Sequence, residues 1–156
     1  MFPFAGAAIC RLHEAGMAVI VVTNQSGVAR GYFPESLVQQ VNDLMQRELA
    51  AVGARLDGIY YCPHGPHDAC ECRKPKTGML VQAAREHQID LRRSYVVGDR
   101  YSDMELAFQG RCTSVLVRTG YGEEEVRLHT KDWPRQPDAI VENLEAAADW
   151  ILAQGK

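Results

Sequence analysis

The sequence contains no apolar run approaching the roughly 18 residues that a membrane-spanning helix needs. Its opening, "MFPFAGAAICRLHEAG", lacks the basic n-region and long apolar h-region of a secretory leader. The cytoplasm is therefore the expected compartment, and no membrane partner is expected. Excess charge is scarce as well: 17 Lys and Arg against 20 Asp and Glu give a formal net charge of -3. Nothing global attracts nucleic acid, so any cationic site must be local. Repeats, low-complexity tracts and long linkers are missing too, and the 156 residues are expected to form one domain, 1–156.

Cysteine is present, but in odd number: Cys10, Cys62, Cys70, Cys72 and Cys112. A closed disulfide framework needs an even count. Three of the five crowd beside histidines, which reads as metal binding in a reducing compartment.

Apolar patterning supplies the fold class. Residues 3–15 place Phe4, Ala8, Ile9 and Leu12 at helical spacing, with Gly16 as the stop. Short uninterrupted apolar runs follow at 17–22, 56–61, 94–98, 113–118 and 139–141, the form taken by strands of a parallel sheet covered on both faces. Helical segments are expected at 35–52, with Leu37, Val41, Leu44 and Leu49 on one face, and at 77–88, 102–109 and 143–153. Residues 123–138 read as a polar surface connection. Alternating strands and helices predict a Rossmann-like α/β domain whose chemistry lies beyond the carboxyl ends of its strands.

Three segments occupy those ends. After the first strand come Thr23, Asn24, Gln25 and Ser26, which form either a phosphate cradle or a polar loop closing the strand. After 94–98 comes "GDRYSD", in which Asp99 is placed to hold a hard cation such as Mg²⁺ through oxygen. Ser102 and Asp103 in the same string suit a helix N-terminus, and Asp103 reads as a cap rather than a ligand.

The third segment, "YYCPHGPHDACECRKPKTGM" at 60–79, presents Cys62, His64, Cys70 and Cys72 in the order Cys-x-His, five residues, Cys-x-Cys. Three thiolates and one imidazole would close a tetrahedral Zn²⁺ shell with no position left for water, making a structural site. His67 is an alternative imidazole, and a reduced, metal-free loop is the alternative state. Arg73 and Lys74 follow Cys72 directly, so a clasped loop would present both to an anion with little freedom left to lose.

Together Thr23, Lys74 and Asp99 resemble motifs II, III and IV of the haloacid dehalogenase superfamily of phosphatases. The strings "VVTNQSGVARGYF", "IYYCPHGPHDACECRKPKTGM" and "VVGDRYSDMELA" are similar to those of its zinc-containing D-glycero-D-manno-heptose 1,7-bisphosphate phosphatases and of the related histidinol-phosphate phosphatases. The resemblance runs from about residue 3 to Gly122. It implies Mg²⁺-dependent hydrolysis of a sugar phosphate, with a heptose bisphosphate of lipopolysaccharide precursor synthesis as favoured substrate and histidinol phosphate as runner-up. Residue by residue, it implies that Thr23 donates to the transferring phosphoryl group and that Asn24, Gln25 and Ser26 line the substrate loop. Lys74 would neutralise charge, Arg73 would recognise substrate, Asp99 would bind Mg²⁺, and Cys62, His64, Cys70 and Cys72 would hold zinc. Arg100 would also bind substrate, and it stands where these phosphatases often carry lysine.

One family feature is missing. The nucleophile should be the first aspartate of an Asp-x-Asp motif ending a strand before residue 3, yet no Asp-x-Asp occurs and the first aspartate is Asp43. That strand is central in the family, so a chain without it is expected to form two half-sheets with unpaired inner edges. A truncated chain or a start assigned too late is the expectation, with a monomer once the strand is present. The competing expectation is a non-catalytic zinc module that binds a phosphorylated ligand, or a partner chain supplying the strand.

Overall fold

The computed structural model describes residues 3–155. Helix α1 spans Ala5–Glu14, β1 Ile20–Asn24, α2 Glu35–Ala51, β2 Gly58–Cys62 and α3 Gly78–His87. The second part comprises β3 Tyr95–Gly98, α4 Tyr101–Gly110, β4 Thr113–Val117, α5 Gly122–His129, β5 Ala139–Val141 and α6 Leu144–Ala153. All strand pairings are parallel, as the alternation predicts, and helices flank the strands.

The strands fall into two sheets. β1 pairs with β2, and β3, β4 and β5 form the other sheet in that order. Among the described residues no backbone ladder joins β1 to β3, which is the division expected of this fold without its central strand. Side chains bridge the seam instead: Val22 of β1 packs against Leu80, Val96, Leu106, Ala107 and Cys112. On the opposite side, α1 and α6 pack Ala8, Leu12, Ala148 and Ile151 together, with Val19, Tyr95 and Val97 beneath them.

The first helix ends as its glycine requires. Gly16 takes φ +82°, Gly16 N–H reaches His13 O at 2.8 Å and Met17 N–H reaches Leu12 O at 3.0 Å. This double closure satisfies two otherwise orphaned carbonyls, and the left-handed φ strongly favours glycine. It also uses Met17 in the turn, so β1 begins at Ile20 rather than at 17 and extends through Thr23 and Asn24.

Two expectations are corrected. In α2 the buried residues are Val38 and Leu49, with Met45 packed nearby, whereas Leu37, Val41 and Leu44 are exposed. The helix carries two apolar stripes, and periodicity alone cannot say which one meets Val21 and Ile59 of the sheet. The second correction is α5, inside the supposed polar connection. Among its described residues only Gly122 is buried, so no apolar stripe announces it. Glu123, Glu124 and Glu125 in its first turn and Arg127 and His129 in its last complement the helix dipole.

Candidate active site and metal cluster

The carboxyl ends of β1 and β2 are in register, with Asn24 opposite Cys62. Gln25 N–H extends this ladder to Cys62 O at 2.7 Å, so the thiol-bearing loop starts from the same edge as the Thr23 loop. Cys62 itself is fully buried.

The ligand atoms of Cys62, His64, Cys70 and Cys72 all lie within 4.8 Å of one another, while His67 stands outside the cluster. Bond lengths to Zn²⁺ place tetrahedral S···S edges at about 3.8 Å and S···N edges at about 3.5 Å. Cys62 Sγ lies 3.8 Å from Cys70 Sγ and 3.5 Å from His64 Nδ1, matching both. Cys72 sits closer than these edges, 2.8 Å from Cys62 Sγ and 3.2 Å from His64 Nδ1. Desolvation raises the Cys70 thiol, but the Arg73 N–H, the neighbouring thiols and the Cys72 N–H outweigh it and bring it down to about 7. Desolvation, then the hydrogen bonds to Cys62 and Cys70 and the charges of those thiols, push Cys72 up to about 12. Crowded thiols of this kind repel one another as thiolates, and a divalent cation removes that conflict. The donor set therefore fits Zn²⁺.

The loop then delivers Lys74 to the seam. Asn24 clamps its backbone reciprocally: Lys74 N–H donates to Asn24 Oδ1 at 3.0 Å, and Asn24 Nδ2 donates to Lys74 O at 3.3 Å. The ammonium donates to Val22 O at 3.2 Å and to Asp103 Oδ1 at 2.7 Å. Val22 O belongs to β1 and Asp103 to α4, so one side chain ties the two half-sheets together. Asp103 also accepts the Arg100 N–H through Oδ2 at 3.2 Å, which makes it a helix cap and the lysine's counter-ion at once. Gly98 makes room for it, since a Cβ there would lie 2.4 Å from the Asp103 carboxylate.

Asp99 follows β3 and accepts the Tyr121 N–H through Oδ2 at 3.0 Å. Its other oxygen carries no hydrogen bond among the described residues. Gly120, at φ +67°, permits this approach, because a Cβ would stand 2.2 Å from the same Oδ2. One carboxylate oxygen at a polar cleft suits Mg²⁺, which keeps several waters and takes few carboxylates beside phosphate oxygens.

A cleft of about 640 Å³ joins these groups. Thr23, Asn24, Ser26, Arg73 and Lys74 line it from the first half, and Asp99, Arg100, Ser102 and Asp103 from the second. Gln25 is not among them: it donates to Thr23 Oγ1 at 3.2 Å and lines a separate hollow with Phe33, Leu37 and Val38. Two lining residues escaped the sequence reading, Arg30 and Tyr121. Arg30 lay inside a quoted string with no feature to set it apart. Tyr121 sits 21 positions after Arg100, and nothing local links them. The lining holds Arg30, Arg73, Lys74 and Arg100 against Asp99 and Asp103, a positive balance within a chain of net charge -3.

A cleft that gathers cations around a hydroxyl and a carboxylate is built for a phosphate ester, and comparison with known proteins agrees. The family model described as HAD-hydrolase-like matches residues 71–147. A D-glycero-β-D-manno-heptose-1,7-bisphosphate 7-phosphatase of Yersinia pestis is 43% identical over 152 residues, covering 92% of this chain and 72% of that protein. The enzyme of the same name from Pseudomonas aeruginosa is 42% identical over 145 residues, covering 93% and 79%. Among solved structures, the D,D-heptose 1,7-bisphosphate phosphatase of B. bronchiseptica, complexed with magnesium and phosphate, superposes with a TM-score of 0.88. It is 38% identical, with 98% of this chain and 84% of that one covered. At this identity and coverage the chain belongs to the D-glycero-β-D-manno-heptose-1,7-bisphosphate 7-phosphatase family of HAD-like hydrolases.

Proposed function

We propose that this chain binds D-glycero-β-D-manno-heptose 1,7-bisphosphate and supplies the charge-stabilising apparatus for Mg²⁺-dependent removal of its 7-phosphate. The observation that carries the reading is Lys74, held at the seam by Val22 O and Asp103 and facing the cleft that Asp99 also lines. Phosphoryl transfer depends on charge neutralisation and in-line positioning, and fixed donors stabilise developing charge without reorganising. Lys74 neutralises the phosphoryl oxygens, Thr23 O–H and Ser26 donate to them, and Arg73 recognises the sugar phosphate. Asn24 acts by holding the Lys74 backbone, and Gln25 by orienting the Thr23 hydroxyl. Mg²⁺ held by Asp99 would draw charge from a phosphate oxygen when bound. The zinc loop is structural in this scheme.

The nucleophile is a separate matter, because no Asp-x-Asp occurs in the 156 residues. Among the described residues no strand pairs with β1 or β3 at the seam, where Lys74 alone meets the Val22 carbonyl, and such edges favour a strand entering between them with its carboxylates at the cleft. This arrangement also sustains the second reading, a binding module that a partner's strand completes.

The experiment compares phosphate release by the chain alone with release by a version carrying a relative's Asp-x-Asp strand fused ahead of Met1. Release only from the fused protein is expected. Equal release from both would remove the proposed part of the strand. Faster release from histidinol phosphate than from the heptose bisphosphate would replace the substrate assignment.

A further inference from the structure

The Cys/His clasp has an inner and an outer part. Asn24 lies opposite Cys62 in the β1–β2 ladder and clamps the Lys74 backbone, and Lys74 follows Cys72 by two residues. A link between Cys62 and Cys72 therefore closes a circuit that contains Lys74. His64 and Cys70 lie on the excursion between them, residues 63–71. That excursion has fastenings of its own: Gly65 N–H donates to Asp68 Oδ2 at 2.6 Å, and Lys76 Nζ donates to Cys70 O at 2.6 Å.

The thiols are unevenly spaced. Cys62 Sγ is 2.8 Å from Cys72 Sγ but 3.8 Å from Cys70 Sγ. The closer pair has to move together by less than about 1 Å to reach the length of a disulfide bond. Its closeness coexists with a seated Lys74, whose ammonium meets Val22 O and Asp103. A Cys70–Cys72 bridge would have to close over Glu71 alone, in a strained ring. Cys62 is fully buried, whereas Cys70 and Cys72 are half-buried and His64 is exposed, so a small oxidant reaches the cluster from the solvent side. Cys10 and Cys112 stand outside it.

We infer that Cys62 and Cys72 are a redox pair inside the clasp: a hydroperoxide converts them to a disulfide that gives up the cation but keeps the inner circuit shut, so that Lys74 stays in place. One sulfur attacks the peroxide and its O–O bond breaks; the second sulfur then attacks the sulfenic acid and displaces water. With hydrogen peroxide, two thiols are oxidised to one disulfide and the peroxide is reduced to two waters. The thiol protons end in those waters, or solvent supplies them where the sulfurs are held as thiolates. Where Cys70 reacts first, thiol–disulfide exchange carries the bond to the pair that closes with least movement. His64 and Cys70 alone cannot complete a tetrahedral shell, so Zn²⁺ is released. A dithiol reverses the step. The consequence for phosphate rests on the reading of Lys74 given above, and the disulfide itself does not.

The test treats the zinc-loaded chain with hydrogen peroxide. Zinc is followed with a chromophoric chelator, the bridge by peptide mapping, and inorganic phosphate binding by calorimetry. About one zinc released per disulfide is expected, with the bridge joining Cys62 to Cys72 and reversal by dithiothreitol and added zinc. The oxidised, zinc-free chain should bind phosphate within about three-fold of the zinc-loaded chain, because the closed loop stays ordered. Its thermal midpoint should exceed that of the reduced chain in chelator. Cys70→Ser should still form the bridge, and Cys72→Ser should not. A wild-type bridge through Cys70, oxidation that leaves zinc bound, or a midpoint no higher than that of the reduced zinc-free chain overturns the inference. So does oxidation that abolishes phosphate binding in a chain that showed it before. Failure of the reduced, zinc-loaded chain to bind phosphate removes the phosphate reading, and mapping and midpoint then decide the pair by themselves.

Discussion

The two half-sheets both line the site but are held together by different physics. In the second, β4 lies between two partners, and Ser114, Val115, Leu116 and Val117 are all buried. In the first, all five residues of β1 are only half-buried, and the Val22 carbonyl is met by a lysine rather than a strand. The central location of a strand, not its composition, decides this: "IVVTN" is about as apolar as "TSVLV". The first half therefore depends on α2 beneath it and on the Cys/His cluster at its end, and the second on its own core.

The largest effect expected from this contrast is at the cluster. Cys62→Ala should lower the zinc content from about one per chain to none, measured by atomic emission, and chelation of the wild type should cost about 5 kcal/mol or more of folding free energy. A chain that keeps its thermal midpoint in chelator would remove the metal from its structural part. In the second half, Leu116→Ala empties a fully buried site and should cost about 3–4 kcal/mol in denaturant unfolding. Val22→Ala in the half-buried strand should cost only about 1 kcal/mol. Similar losses at the two positions would erase the contrast.

Between the halves, Asp103→Ala leaves the Lys74 ammonium without its counter-ion at a site where the lysine side chain is only 14% exposed. A loss of about 3 kcal/mol is expected, together with weaker phosphate binding because Lys74 is no longer held in place. Stability and binding changing independently would separate the two parts assigned to Asp103.

The smallest effect belongs to a clamp between β2 and α3, where the Tyr60 hydroxyl donates to Glu86 and also meets His87 Nε2 at 3.0 Å. The Glu86 carboxylate, followed by desolvation, pushes the Tyr60 phenol from its ordinary 10.0 up to about 12. A raised pKa means that the folded state holds the proton more tightly. Its contribution is therefore complete below pH 10 and is lost as pH climbs towards about 12. Unfolding followed across that window should show a slope that Tyr60→Phe flattens, and an unchanged slope would show the contact to be too exposed to matter.

Much of the site was legible because its signals are local. Cys62, His64, Cys70 and Cys72 lie within eleven positions, and no disulfide or helix pattern explains them as well as a metal does. Thr23 lies at the end of β1 and Asp99 directly after β3, where an α/β sheet puts its chemistry, and Lys74 follows the Cys/His run in the loop after β2. Asp103 was read only as a cap, since its partner Lys74 is 29 residues away and pairing over that distance depends on how the halves dock. Gln25 shows the opposite limit: its neighbours line the cleft, but a single hydrogen bond to Thr23 turns it into another hollow.

The sequence by itself determined what short-range chemistry can determine. Apolar runs made parallel strands, Gly16 closed α1, and the close spacing of thiols and imidazole gathered Cys62, His64, Cys70 and Cys72 into one cluster just before Arg73 and Lys74. Only the tertiary structure decided which stripe of α2 is buried, that α5 forms without an apolar face, and that Lys74 spans the seam to Asp103. It alone set Arg100 against Tyr121. These outcomes are contacts between residues far apart in the chain, and a one-dimensional pattern records which groups are available but not which of them meet.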